Sequence, residues 1–122
     1  MRERRKLKRL GRLIGALPKL RERIAELGLR YPLLLRVPGM HVGAYMQKVD
    51  TPAAIDEAVY AMSVKDVQDA CDLFRDVFDS TGGQDGRVSI EVDPRLARDT
   101  AGTVAQAREL AAAVDRRNLM VK

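Results

Sequence analysis

The chain has 122 residues, enough for one modest domain, and 46% of them are apolar, an ordinary share for a globular protein. No apolar run approaches the ~18 residues of a membrane span, and the stretch 10–20 is too broken by Arg12, Pro18 and Lys19 to read as a signal peptide. Cys71 is the one cysteine and the chain has one histidine, which excludes an internal disulfide and a zinc site of the usual kind, and makes a reducing cytoplasm the expected setting.

The net charge of +5 hides a split. Residues 1–48 carry 13 Lys/Arg against 3 Asp/Glu, and residues 49–122 carry 9 against 14. This break predicts a basic, mainly helical N-terminal segment over 1–50 and a domain of different character over 51–122. In the first segment Leu13, Leu17, Leu20, Ile24 and Leu27 recur at steps of three and four, the spacing of one helix face, and Pro18 should kink or restart that helix. Pro32, Pro38, Gly39 and Gly43 then crowd a short stretch that carries no assignable element.

From residue 51 the pattern is regular. "TPAAIDEAVYAM" predicts a helix with Thr51 as N-cap and Pro52 at its first position. "SVKDVQDACDLFRDVFDSTGG" predicts a second helix, opened by Ser63 with Asp66 three residues on and ended by Gly82–Gly83. Its apolar face holds Val67, Ala70, Cys71, Phe74, Val77 and Phe78. "GRVSIEVD" predicts a strand, since Val88, Ile90 and Val92 alternate with Ser89, Glu91 and Asp93, and Pro94 stops it. A helix follows, capped by Asp99 or Thr100, with Val104, Ala107, Leu110, Ala111 and Val114 as its buried stripe. "NLMVK" predicts the next strand. Two strands joined by a helix of this length imply a parallel pair.

Placed in a (β/α)₈ barrel, the two strands acquire a direction. Val88, Ile90, Val92, Leu119 and Val121 should pack outward on helices, while Ser89, Glu91, Asp93, Met120 and Lys122 point inward. Glu91 and Lys122 would then meet at the carboxyl ends of neighbouring strands, where barrel enzymes keep their catalytic groups. A lysine partly buried among apolar groups can act as a neutral amine and form a Schiff base with a carbonyl, and a nearby carboxylate can move the protons. On spacing alone, a solvated terminal lysine and the wet face of an edge strand explain the same residues.

The stretches "DGRVSIEVDPRLARDT", "TVAQARELAAAVDR" and "NLMVK" resemble transaldolase of the actinobacterial type, over about residues 53–122. The resemblance implies a fragment of a (β/α)₈ barrel of the class I aldolase kind. It implies an enzyme of the pentose phosphate pathway that moves a dihydroxyacetone unit between sugar phosphates, with no metal or organic cofactor. It makes Lys122 the Schiff-base lysine, Glu91 the acid that positions the catalytic water, and Ser89 a residue lining the substrate site. Nothing in residues 1–52 matches the family's early aspartate strand or its "TSNP"-like loop. The family's later phosphate-holding arginines would follow the lysine strand, so the expectation is a chain truncated after that strand. Lys122 would also carry the α-carboxylate, an anion that favours the protonated amine. Membership of the family and activity of this chain are therefore separate expectations, and open sheet edges could pair with another chain. The alternative is a catalytically inert fragment in which Arg2, Arg4, Arg5, Lys6, Lys8, Arg9 and Arg12 bind nucleic acid or an anionic surface. A solvated tail accounts for the same cluster, and no aromatic residue before Tyr31 offers a stacking platform.

Overall fold

The computed structural model describes residues 17–36 and 46–122. The basic cluster Arg2–Arg12 and Leu13 lie outside the described residues. In chain order the elements are α1 (Leu17–Glu26), β1 (Leu33–Arg36), β2 (Met46–Val49), α2 (Ala54–Leu73), α3 (Arg75–Ser80), β3 (Val88–Ile90), a 3₁₀ turn (Pro94–Leu96), α4 (Thr100–Val114) and β4 (Leu119–Val121). From residue 53 the order is helix, helix, strand, helix, strand, as the sequence predicts.

The helix α1 begins at Leu17, with Pro18 in its first turn, where no backbone N–H is needed. Ile24 is buried and Leu20 half-buried, but the helix ends at Glu26 and leaves Leu27 exposed. The region without an assignable element contains an antiparallel pair, β1 with β2, in which Leu33 faces Val49 and Leu35 faces Gln47.

The sequence predicts two helices between residues 52 and 81 with their junction at Ser63, and the structure moves that junction to Phe74. Residues 54–73 form one helix. No Gly or Pro interrupts residues 53–81. The Ser63 hydroxyl caps nothing: it donates to the carbonyl of Val59, 2.8 Å away, one turn earlier in the same helix. Nor is Thr51 a side-chain cap. Its carbonyl accepts from the Ala54 N–H at 3.1 Å, and Ala53 is the residue that opens the helix. At Phe74 the backbone leaves helical geometry (φ −94°, ψ 5°) before α3 resumes it. The close neighbour there is Gly86, whose φ is +73°. A Cβ on Gly86 would lie 2.5 Å from the Phe78 nitrogen and 2.7 Å from the Phe74 oxygen, so only glycine fits. Gly82 and Gly83 end α3 as expected, with the Gly83 N–H donating to the Phe78 carbonyl at 2.8 Å.

The strands β3 and β4 pair in parallel, with Val88 beside Leu119, Ser89 beside Met120 and Ile90 beside Val121. With α4 between them they form one βαβ unit, the repeating unit of a (β/α)₈ barrel. Each sheet among the described residues has two strands, and neither closes on itself. Asp99 caps α4, its carboxylate accepting from the Gly102 N–H at 2.9 Å. Of the predicted stripe on α4, Leu110 and Val114 are buried and Ala107 half-buried. Ala111 is exposed and Val104 is 44% exposed, because the helix turns its Leu110–Val114 edge toward α2 and the strands. Val77, expected on the buried face, is also exposed, since the break at Phe74 rotates α3 relative to α2.

Among the described residues, two apolar clusters hold the elements together. Ile24, Val49, Ile55, Ala58, Val59 and Met62 form the first, and Val67, Ala70, Cys71, Val88, Ile90, Leu110 and Val114 the second. Both rest on α2, whose 20 residues run about 30 Å. The second cluster fixes the outer face of β3 and β4, and so decides which side chains occupy the other face.

Candidate active site

Period two along a strand puts Ser89 and Glu91 on the face of β3 opposite Val88 and Ile90. On β4, Leu119 and Val121 pack against the second cluster, which sends Met120 and Lys122 to the face shared with Glu91. The ladder runs one step past the strand ends. The Lys122 N–H donates to the Ile90 carbonyl at 2.9 Å, and the Val92 N–H donates to the Lys122 carbonyl at 2.9 Å. Lys122 is thereby bracketed by the two neighbours of Glu91.

The side chains complete the arrangement. Lys122 Nζ lies 3.3 Å from Glu91 Oε1. The two side chains are 59% and 63% exposed, so the apolar surroundings expected for the lysine are not found among the described residues. Ser89 is half-buried, two residues before Glu91 and beside Met120. An amine and a carboxylate at this distance can exchange a proton directly or through one water, and both groups stand open to a ligand in solution.

Asp93 departs from the expected inward row. It is buried, and its carboxylate accepts from the Arg95 N–H at 2.8 Å and from Arg95 Nε at 2.8 and 2.9 Å. The Asp93 N–H donates to Gln106 Oε1 on α4 at 2.5 Å. Arg95 Nη2 reaches Asp56 Oδ2 on α2 at 2.9 Å, and Asp56 Oδ1 accepts from Arg21 on α1 at 2.7 Å. The Arg95 guanidinium holds the Asp93 carboxyl below the usual carboxylate range, against the opposing effect of burial. Burial, and then the Asp93 carboxylate nearby, push the Tyr60 hydroxyl up. This network does not follow from strand alternation. The signal for it is "DPR": an Asp before a Pro at the first position of a turn is the pattern of a side-chain cap.

Asn118, immediately before β4, also works structurally. Its side-chain NH₂ donates to the carbonyls of Cys71 at 2.8 Å and Gly86 at 3.0 Å. Among the described residues no three His, Cys, Asp or Glu side chains gather as metal ligands, and no helix is long and apolar enough to cross a membrane.

The family model "Transaldolase/Fructose-6-phosphate aldolase" matches residues 39–122. Transaldolase 1 of Streptomyces coelicolor is 62% identical over 68 residues, which cover 56% of this chain and 18% of that protein. Transaldolase 2 of Streptomyces avermitilis is 54% identical over 82 residues, covering 64% of this chain and 22% of the relative. The transaldolase of Acidothermus cellulolyticus is 59% identical over 68 residues, 56% of this chain and 18% of that protein. The chain thus spans about a fifth of the length of these curated relatives.

Proposed function

The chain belongs to the transaldolase/fructose-6-phosphate aldolase family, and from that premise we propose that it carries the Schiff-base site of a transaldolase, with Lys122 as nucleophile, Glu91 as proton carrier and Ser89 against the substrate. The observation that supports this most is the 3.3 Å approach of Lys122 Nζ to Glu91 Oε1 on the strand face turned away from the apolar core. The substrate class is sugar phosphates, and the reaction is transfer of a dihydroxyacetone unit from a ketose phosphate to an aldose phosphate.

The chemistry can be written with Lys122, Glu91 and water. The Lys122 ammonium gives a proton to the Glu91 carboxylate; the neutral amine adds to the ketose carbonyl carbon, and a proton moves from its nitrogen to the carbonyl oxygen to give a carbinolamine. Glu91, through a water, protonates that hydroxyl as it leaves and forms the iminium. The Glu91 carboxylate, again through a water, takes the proton of the hydroxyl beside the neighbouring carbon–carbon bond, whose electron pair moves into the iminium as the bond breaks and an aldose phosphate leaves. The enamine left on Lys122 then adds to the aldehyde of a second aldose phosphate, whose oxygen takes that proton back from Glu91. Water adds to the resulting iminium, Glu91 manages the reverse proton transfers, and the amine is restored.

Incubation with fructose 6-phosphate and borohydride, followed by peptide mass spectrometry, tests the reading. A reduced adduct is expected on Lys122, with Lys48 and Lys65 unmodified, and Glu91→Gln should slow its formation about 100-fold. No adduct on Lys122, or equal labelling of all lysines, sinks the proposal.

A further inference from the structure

The pair at the strand ends has little packing of its own. Both side chains are more than half exposed, and an exposed ion pair of long side chains holds its geometry poorly. What fixes the pair is the backbone on either side of Glu91. Ile90 and Val92 each bond to Lys122 at 2.9 Å, and the chain passes from Val92 directly into Asp93.

We infer that Asp93, Arg95 and Gln106 form a clamp that positions Glu91 against Lys122 by anchoring the backbone where it leaves β3. Resting on the assignment of Lys122 as Schiff-base lysine, this makes the three of them positioning residues for that reaction. None of them bonds to Glu91 or Lys122. Gln106 holds the Asp93 N–H from α4, and Arg95 grips the Asp93 carboxylate while tying it to Asp56 on α2. Asp93 is thus gripped from two helices, and its side chain is only 9% exposed. If Gln106 lets go, the Asp93 N–H is left without its partner, and the nearest tie to α4 moves three residues down the chain, to the Leu96 carbonyl that accepts from the Thr103 hydroxyl at 3.0 Å. The Val92–Lys122 bond then frays and Glu91 drifts from the amine. A clamp acting only as a staple between helices would instead lower stability and leave the pair in place.

Gln106→Leu and Arg95→Lys separate these cases, because neither changes net charge. The contact is read by the nuclear Overhauser effect between the Glu91 γ- and Lys122 ε-methylenes, with the cross-strand contact of Val88 and Leu119 as a reference for the intact fold. Trapping by fructose 6-phosphate and borohydride gives the rate. In Gln106→Leu the Glu91–Lys122 signal should vanish while the reference persists. The trapping rate at saturating sugar phosphate should fall about tenfold, with the half-saturating concentration unchanged. If Gln106→Leu loses its helical circular dichroism, Arg95→Lys takes its place with the same expectations. A retained Glu91–Lys122 signal in a folded variant overturns the clamp. So does an unchanged trapping rate. Should the unsubstituted chain form no adduct, the Schiff-base reading fails, and the Overhauser signal alone decides the clamp.

Discussion

Asn118 is 3% exposed and spends both amide hydrogens on carbonyls from separate parts of the chain, Cys71 in α2 and Gly86 in the loop before β3. Asn118→Ala would leave two buried oxygens without those partners. We expect a loss of about 2 kcal/mol, seen as a lower urea midpoint at unchanged slope; a loss within error of zero would show that water replaces the amide. Residue roles of this kind were not legible in the sequence, where Asn118 reads only as the polar residue before an apolar run. Glu91 and Lys122 were legible, because strand period assigns them a face and the register of the parallel pair brings them level. Asp93 was not, for the same rule carried one step too far. Alternation predicts direction only while the strand lasts, and the chain turns at Pro94.

At the scale of elements, long periodic segments were readable and their junctions were not. The pattern of α2 does not distinguish one helix from two, because Ser63 offers the same oxygen to a cap or to the preceding turn. The pair β1–β2 carries no alternating signal, because each strand has four residues and the first reads Leu–Leu–Leu–Arg, with leucine on both faces. Ties between elements are electrostatic as well as apolar. Asp72 on α2 accepts from Arg116 Nε at 2.7 Å and Nη2 at 3.0 Å, just ahead of β4, and from Arg75 at 2.9 Å on α3. The hydrogen bonds from Arg116, then from Arg75, lower the Asp72 carboxyl from 3.8 to about 2. The folded value lies below the ordinary one, so the contribution is complete above pH 3.8 and disappears as pH falls through about 2. The difference in urea midpoint between the unsubstituted chain and Asp72→Asn should therefore be positive near neutral pH and shrink toward zero at about pH 2. High salt should reduce it throughout, because Asp72 is exposed. A difference that stays constant across this range would show that Asp72 stabilises by something other than its charge.

For the whole molecule, the break in charge near residue 50 is real in composition, but apolar packing runs across it. Ile24 and Val49 share a cluster with Ile55 and Val59, and Tyr60 packs against that cluster and the next. The described part of the molecule is therefore organised by α2, with one cluster on each half of that helix, and the strands that carry the candidate site pack on the second. This arrangement predicts separable local stabilities. Ile55 and Val114 are each 0% exposed, one in each cluster. Truncating Ile55 to Ala should cost about 3 kcal/mol, and truncating Val114 to Ala about 2 kcal/mol. Hydrogen exchange locates each loss. Ile55→Ala should speed exchange in Leu33–Arg36 and Met46–Val49 while the Val92 and Lys122 amides keep most of their protection. Val114→Ala should do the reverse, and should also slow trapping of sugar phosphate at Lys122. Equal acceleration at both sheets in either variant would mean that the two clusters open together, as one cooperative unit transmitted through α2.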